Sequence, residues 1–314
     1  MRALLATDGS ASADRARDLV ATLPWPKGTV VRVVTAIEPH LEMLAAPFAM
    51  SPSNVVDDLD AELLAHAETT LDAAEQVLRD AGLSVERLML RERAADAILE
   101  QAREWRANLV VLGNRGHSTL SSMILGSTSA DVVDHAPCPV LVARDSAIDE
   151  VVIGVDDSPG SRLAEHLLTD WPMFRRLPAA VVSVAATGIP WDPGMAAGLY
   201  DAVVESYAHD VDTARREVAE LAEACAGRLR SAGVEAVAHV REGDPAAELV
   251  TFARGRSHPL LVLGSRGHTG LARLLLGGVA RNVLYHAAGS VLVVREGIPI
   301  VAEPADEVAE LVSL

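Results

Sequence analysis

The 314-residue chain holds only two cysteines, Cys138 and Cys225, and neither stands in a CxxC pair or a Cys/His cluster. That excludes a disulfide framework and the usual zinc spacings, leaving two small buried hydrophobes as the reading. Basic residues are scarce beside acidic ones, 27 against 44, for a formal net charge of −17. Such a surface repels phosphate backbones, so nucleic acid is not an expected partner. Any anion the protein binds must be held by local backbone geometry. No apolar run approaches the ~18 residues that cross a bilayer. The opening MRALLATDGS has one basic residue and a run before Asp8 too brief for a signal peptide. A cytoplasmic protein that makes no use of a membrane is expected.

What is present suits folded domains. Half of the residues are hydrophobic and 23% charged, enough to build cores and too apolar for a disordered chain. The length suits two domains of ordinary size. An internal repeat supplies them: residues 109–144 shifted by 151 onto 260–295 match at 17 of 36 positions without a gap. The starts also correspond, LLATDGSASADRA against VIGVDDSPGSRLA at an offset of 148. Two similar domains, 1–146 and 150–296, are expected, followed by an acidic tail over 297–314 that has no basic residue.

Each copy alternates strand and helix patterns. In the first, RALLA, TVVRVVTAI, SVERLML, NLVVLG and PVLVAR read as strands, and 11–21, 55–81, 94–105 and 127–135 as helices. The second predicts strands near 151–155, 180–185, 234–240, 259–263 and 290–294. Five strands with helical crossovers give an α/β fold, a doubly wound parallel sheet in each copy. The proline-bearing stretch 38–53 and its counterpart 187–194 read as loops or lids at the carboxyl end of the second strand, where open α/β sheets bind ligands.

GNRGHSTLSSMILGSTS, residues 113–129, follows directly on a buried strand. Glycines there permit a tight turn and let backbone N–H groups approach a ligand. Gly126 and Ser127 open the next helix, whose first N–H groups lack internal partners and whose dipole favours negative charge. Together the two turns predict a phosphate cradle that needs no lysine. A lone GxxG would mean only a strand end and a helix cap, but here strand, GxxG, nine residues and a second glycine recur in order. The second copy, GSRGHTGLARLLLGGVA at 264–280, keeps the glycines and replaces Ser127, Thr128 and Ser129 by Gly278, Val279 and Ala280. The spacing is neither GxxxxGK[ST] nor GxGxxG, which argues against P-loop and dinucleotide sites.

Gly113-x2-Gly116-x9-Gly126-Ser127, the opening ATDGS and the closing HAPCPVLVAR resemble the nucleotide-binding branch of the universal stress protein family. The likeness covers both copies and implies a tandem of Rossmann-like, adenine-nucleotide-hydrolase-like domains that binds ATP, with Mg²⁺. It implies that Asp8 contacts adenine or ribose and that the chain near Ala36 lines the adenine site. Gly113, Arg115, Gly116 and His117 would lie beside the phosphates, and Gly126, Ser127 and Ser129 would donate to them. Asp156, Gly264, Arg266, Gly267, His268, Gly277 and Gly278 form the matching set in the second copy, weaker for want of the serine hydroxyls. Where the second copy has the family's Gly-Asp-Pro turn in REGDPAAE, the first has RERAAD. The family also implies that the last strands of the two copies pair across a pseudo-two-fold axis, with a homodimer through exposed surfaces still open.

His117 and His268 invite a catalytic role, but no carboxylate or nucleophile stands at a fixed spacing, so a phosphate-side or solvent position is expected. His135 and His286 sit where a cation suits a helix C-terminus. Asp8 and Asp156 could hold a metal or cap a helix, and no metal ligand set is expected, since Mg²⁺ would come with the nucleotide. Glu217, Glu220 and Glu223 read as a solvated face. The function these readings imply is a stress-response regulator or sensor governed by nucleotide occupancy, acting on a protein partner the sequence does not name. A slow ATPase or adenylyl-chemistry enzyme, and a nucleotide-independent scaffold, are the alternatives.

Overall fold

A computed structural model describes residues 1–38, 53–116, 125–186, 197–267 and 276–295. The chain divides into two compact units, the first within Met1–Ala147 and the second within Ile148–Glu296.

The first unit runs β1 (Arg2–Ala6), α1 (Ala11–Thr22), β2 (Val30–Ala36), α2 (Ser53–Asp80), β3 (Ser84–Leu90), α3 (Ala94–Glu104), β4 (Leu109–Gly113), α4 (Ser127–His135) and β5 (Val140–Ala143). Its strands are all parallel in the order β3-β2-β1-β4-β5. Helices α1 and α2 pack together, as do α3 and α4, and they cover the sheet. The strand sequences follow from that burial. β4 and β5, covered on both faces, are unbroken apolar runs, whereas the edge strand β3 mixes polar and apolar residues and has none fully buried. Glycine ends α2: Gly82 takes φ +82°, and Leu83 N–H reaches back 3.1 Å to the Leu78 carbonyl.

The second unit repeats the path with β6 (Glu150–Gly154), α5 (Pro159–Asp170), the short α6 (Pro172–Arg175), β7 (Ala179–Ala185), α7 (Ala197–Ser231), β8 (Ala236–Glu242), α8 (Pro245–Ala253), β9 (Pro259–Gly264), α9 (Gly278–His286) and β10 (Ser290–Val294). Its order is β8-β7-β6-β9-β10, again parallel. β8 begins two residues later than its sequence pattern predicts. Val234 is spent on closing α7: its N–H donates 3.0 Å to the Leu229 carbonyl after Gly233 turns at φ +87°. The pattern also gives no sign of α6, which Pro172 starts and Met173 and Phe174 bury.

Cys138 and Cys225 are buried free thiols. Burial and the neighbouring Glu165 push the Cys225 thiol up to about 12, so it is no nucleophile at neutral pH. His135 and His286 each donate from Nδ1 to a carbonyl one turn back, 2.9 Å to Asp131 and 2.8 Å to Asn282, within the last turn of their helices. Among the described residues no helix is long and apolar enough to cross a membrane.

Candidate functional site

In the first unit the strand order reverses between β1 and β4. Open α/β sheets leave a crevice at the carboxyl ends of the strands at such a point. Asp8 follows β1, and Gly113 closes β4, so both stand at the mouth of that crevice. Asp8 Oδ1 accepts the Ser10 N–H at 3.0 Å, which fixes its carboxylate, and Ser10 then caps α1 by accepting from Ala13 N–H. A Cβ placed on Gly116 would lie 2.5 Å from Asp8 Oδ2. The aspartate and the glycine turn are therefore in contact, across more than a hundred residues of chain.

Gly113 has a packing reason as well. A Cβ there would lie 2.5 Å from Ser12 Oγ and 2.7 Å from the Ser12 carbonyl carbon, so α1 approaches β4 only because position 113 has no side chain. Beyond the turn, the Gly126 N–H donates 2.8 Å to the Asn114 carbonyl and brings α4 back to the sheet edge. Gly126 stands at the N-cap with no side-chain cap bond. Ser10, Ser158 and Asp244 do cap α1, α5 and α8 with side-chain oxygens. The first turn of α4 thus presents the N–H groups of Ser127, Thr128 and Ser129 toward the glycine turn without a side-chain cap.

Two guanidiniums strengthen this edge. Arg115 lies in the turn, and Arg144 follows Ala143, the register partner of Gly113. Burial first and the charge of Arg115 second bring the Arg144 pKa down to about 10, against the opposing carboxylate of Asp145. It stays cationic at neutral pH. Two cations and a helix N-terminus thus stand at this edge, beside the carboxylates of Asp8 and Asp145, on a chain whose net charge is strongly negative.

The second unit keeps the plan. Ser158 N–H and Oγ–H both reach Asp156 Oδ1, at 3.1 and 2.5 Å, and a Cβ on Gly267 would meet Asp156 Oδ2 at 2.5 Å, as in the first copy. Gly277 N–H donates 2.8 Å to the Ser265 carbonyl and also stands at an N-cap with no side-chain bond. Among the described residues, nothing lies within 4 Å of a Cβ on Gly278.

A model of the universal stress protein family matches residues 1–144 and again 147–295. The chain belongs to that family. A universal stress protein of Mycolicibacterium smegmatis is 30% identical over 243 residues, covering 73% of this chain and 77% of its own length. One of Mycobacterium tuberculosis is 33% identical over 233 residues, covering 71% and 73%. In fold, a universal stress protein from Archaeoglobus fulgidus superposes with a TM-score of 0.64 at 17% identity, over 94% of this chain and 98% of that one.

In this universal stress protein the described residues bring Asp8, Gly113, Arg115, Gly116, Gly126, Ser127 and Ser129 to one sheet edge, and Asp156, Gly264, Arg266, Gly267, Gly277 and Gly278 to the equivalent edge. His117 and His268 lie outside the described residues, as do the stretches 39–52 and 187–194. Ala36 ends β2 in register with Leu90, one strand out from Asp8. The Ser129 hydroxyl, expected to reach a phosphate, is buried and donates 2.9 Å to the Gly113 carbonyl. Its proton ties the helix to the turn. Ala280 offers no such bond in the second unit.

The departure of RERAAD from the Gly-Asp-Pro turn also has a structural answer. In the second unit Asp244 caps α8, accepting from Ala247 N–H at 2.8 Å. In the first, Arg93 occupies the N-cap with no cap bond, and Glu38 from the end of β2 accepts the Ala94 N–H at 3.1 Å. Arg93 turns outward to Asp131 and Asp96. The residues that sequence reasoning missed are Ser12, Asn114, Glu38 and Arg144. Only Arg144 left a signal, as a charge directly after an apolar strand.

Proposed function

We propose that the first unit binds an adenine nucleotide, ATP with Mg²⁺, with its phosphates between the Gly113–Gly116 turn and the N-terminus of α4. The observation that carries this reading is the uncapped first turn of α4, held by the Gly126–Asn114 bond against a glycine turn that two arginines flank. Backbone donors, a helix dipole and cations at one sheet edge fit a polyphosphate, and Asp8 stands where a ribose or adenine donor would be accepted. Mg²⁺ would be held by the phosphates, with water and at most a carboxylate such as Asp8.

The second unit would bind the same nucleotide more weakly. The chain would work as a nucleotide-dependent regulator in which occupancy governs the recognition of a protein partner.

The test is to identify and titrate the nucleotide on purified wild-type protein and on Gly126→Ala/Ser127→Ala. About one adenine nucleotide per chain, lost in the variant, supports the reading. A wild type that takes up none at millimolar ATP refutes it and leaves the scaffold alternative.

A further inference from the structure

The Arg115 peptide is gripped from both sides. Its N–H donates to Ser12 Oγ at 3.3 Å, and its carbonyl accepts from Ser10 Oγ at 3.4 Å. Ser12 passes its own proton to Asn114 Oδ1, 2.7 Å away, and the Asn114 carbonyl takes the Gly126 N–H. Ser12 and Asn114 are each only 6% exposed. One buried chain of hydrogen bonds therefore runs from the first turn of α1, through the glycine turn, to the start of α4.

The second unit builds the same turn without it. Gly160 stands in the place of Ser12, and Ser265 in the place of Asn114. Ser158 Oγ still lies 3.2 Å from the Arg266 carbonyl, with its proton given to Asp156 at 2.5 Å, and the other side is held by backbone packing: a Cβ on Gly264 would lie 2.4 Å from the Gly160 carbonyl carbon. The fold can thus make this turn with no hydroxyl at the first position and no amide at the second. What the buried pair adds in the first unit is a fixed direction for the Arg115–Gly116 backbone.

We infer that Ser12 and Asn114 are positioning residues for the phosphate side of the first site. They act through the turn and touch no ligand, and the inference rests on the nucleotide reading above. It has a signature that a purely structural role lacks. The turn faces phosphates, so loosening it weakens ATP and leaves adenosine alone.

The experiment titrates ATP and adenosine separately into full-length wild type, Ser12→Ala and the double variant Ser12→Gly/Asn114→Ser. The double variant carries the pair with which the second unit folds, so it stays informative where Ser12→Ala does not fold. Expected is a loss of about tenfold in the tighter ATP affinity, the size of one hydrogen bond to a held charge, with adenosine unchanged. Parallel losses for ATP and adenosine, or an unchanged ATP affinity, overturn the inference while the nucleotide reading survives. A wild type that binds neither compound removes the nucleotide reading, and the inference falls with it.

Discussion

In the first unit the turn after β4 is held by side chains, with Ser12 and Asn114 on one side and Ser129 on the other. In the second the same positions are Gly160, Ser265 and Ala280, and glycine backbones pack directly on each other. Both solutions place an aspartate carboxylate against the second glycine of the turn and leave the following helix without a side-chain cap. Two copies of one fold have thus kept the backbone path and exchanged the means of pinning it. The path is set by the sheet edge, while the polar groups around it are free to diverge. Those polar groups are also what a phosphate would feel, so the comparison separates what the fold needs from what a ligand needs.

The strongest way to break the comparison is to put a side chain where both copies exclude one. In Gly264→Ala the new methyl meets the Gly160 backbone at 2.4 Å, and no side chain there can yield. A loss of about 3 kcal/mol is expected, at the upper end of ordinary overpacking. Gly113→Ala meets Ser12 Oγ at 2.5 Å and Ser12 backbone at 2.7 Å, and should cost a comparable amount. Urea unfolding followed by circular dichroism measures both. If either variant matches wild type, the glycines do not set the helix-to-strand approach.

Gly278→Ser sharpens the comparison from the other direction. With nothing among the described residues within 4 Å of a Cβ there, stability should stay within about 0.5 kcal/mol of wild type. Restoring a hydroxyl beside the N-terminus of α9 should tighten the second site for ATP by roughly tenfold to a hundredfold. Isothermal titration then reads a rise from one nucleotide per chain toward two. A stable variant that still binds only one shows that the second site is limited by something other than its serine.

How much of this was legible in the sequence depended on how locally each feature is determined. Strands such as LVVLG and SVLVV are buried on both faces, and their composition alone marks them. The glycine turns and the helices they open were legible because strand, GxxG, nine residues and a further glycine recur in the same order in both copies. Val234 was misplaced because an apolar residue after a helix-ending glycine can belong to the cap or to the next strand. Ser12 and Asn114 were invisible for a different reason: they meet across a separation of 102 residues, and neither type announces a partner. Ser129 was read as a ligand donor because its place in the motif suggests one, whereas its proton is taken by a carbonyl of its own unit.

That last point gives a smaller test. Ser129→Ala removes a buried hydrogen bond and leaves the Gly113 carbonyl short of one partner, a loss of about 1 kcal/mol in stability. Ala280→Ser places a hydroxyl in the equivalent buried position and should return a few tenths of that, since the second unit is already packed around a methyl group. Thermal melts of the two single variants, compared with each other, decide it. Equal and negligible shifts would mean that the Ser129 bond contributes nothing to holding α4 on the turn.

The smallest expected effects concern the helix that follows the third strand of each copy. Asp244 caps α8 from within its own turn, a local arrangement whose loss in Asp244→Ala should cost about 1 kcal/mol. Glu38 serves α3 from a distant strand end, over the longer 3.1 Å, and holding a long side chain in one rotamer offsets part of the gain. Glu38→Ala should therefore cost less, about 0.5 kcal/mol. Amide hydrogen exchange in the first turns of α3 and α8 resolves the two caps separately, where whole-chain unfolding would blur them. Faster exchange at Ala94 in Glu38→Ala, with α8 unchanged, shows that the first copy replaced a lost aspartate by borrowing a carboxylate from the loop beside its ligand edge. If Ala94 exchange is unaltered, the first copy tolerates a helix start with no cap.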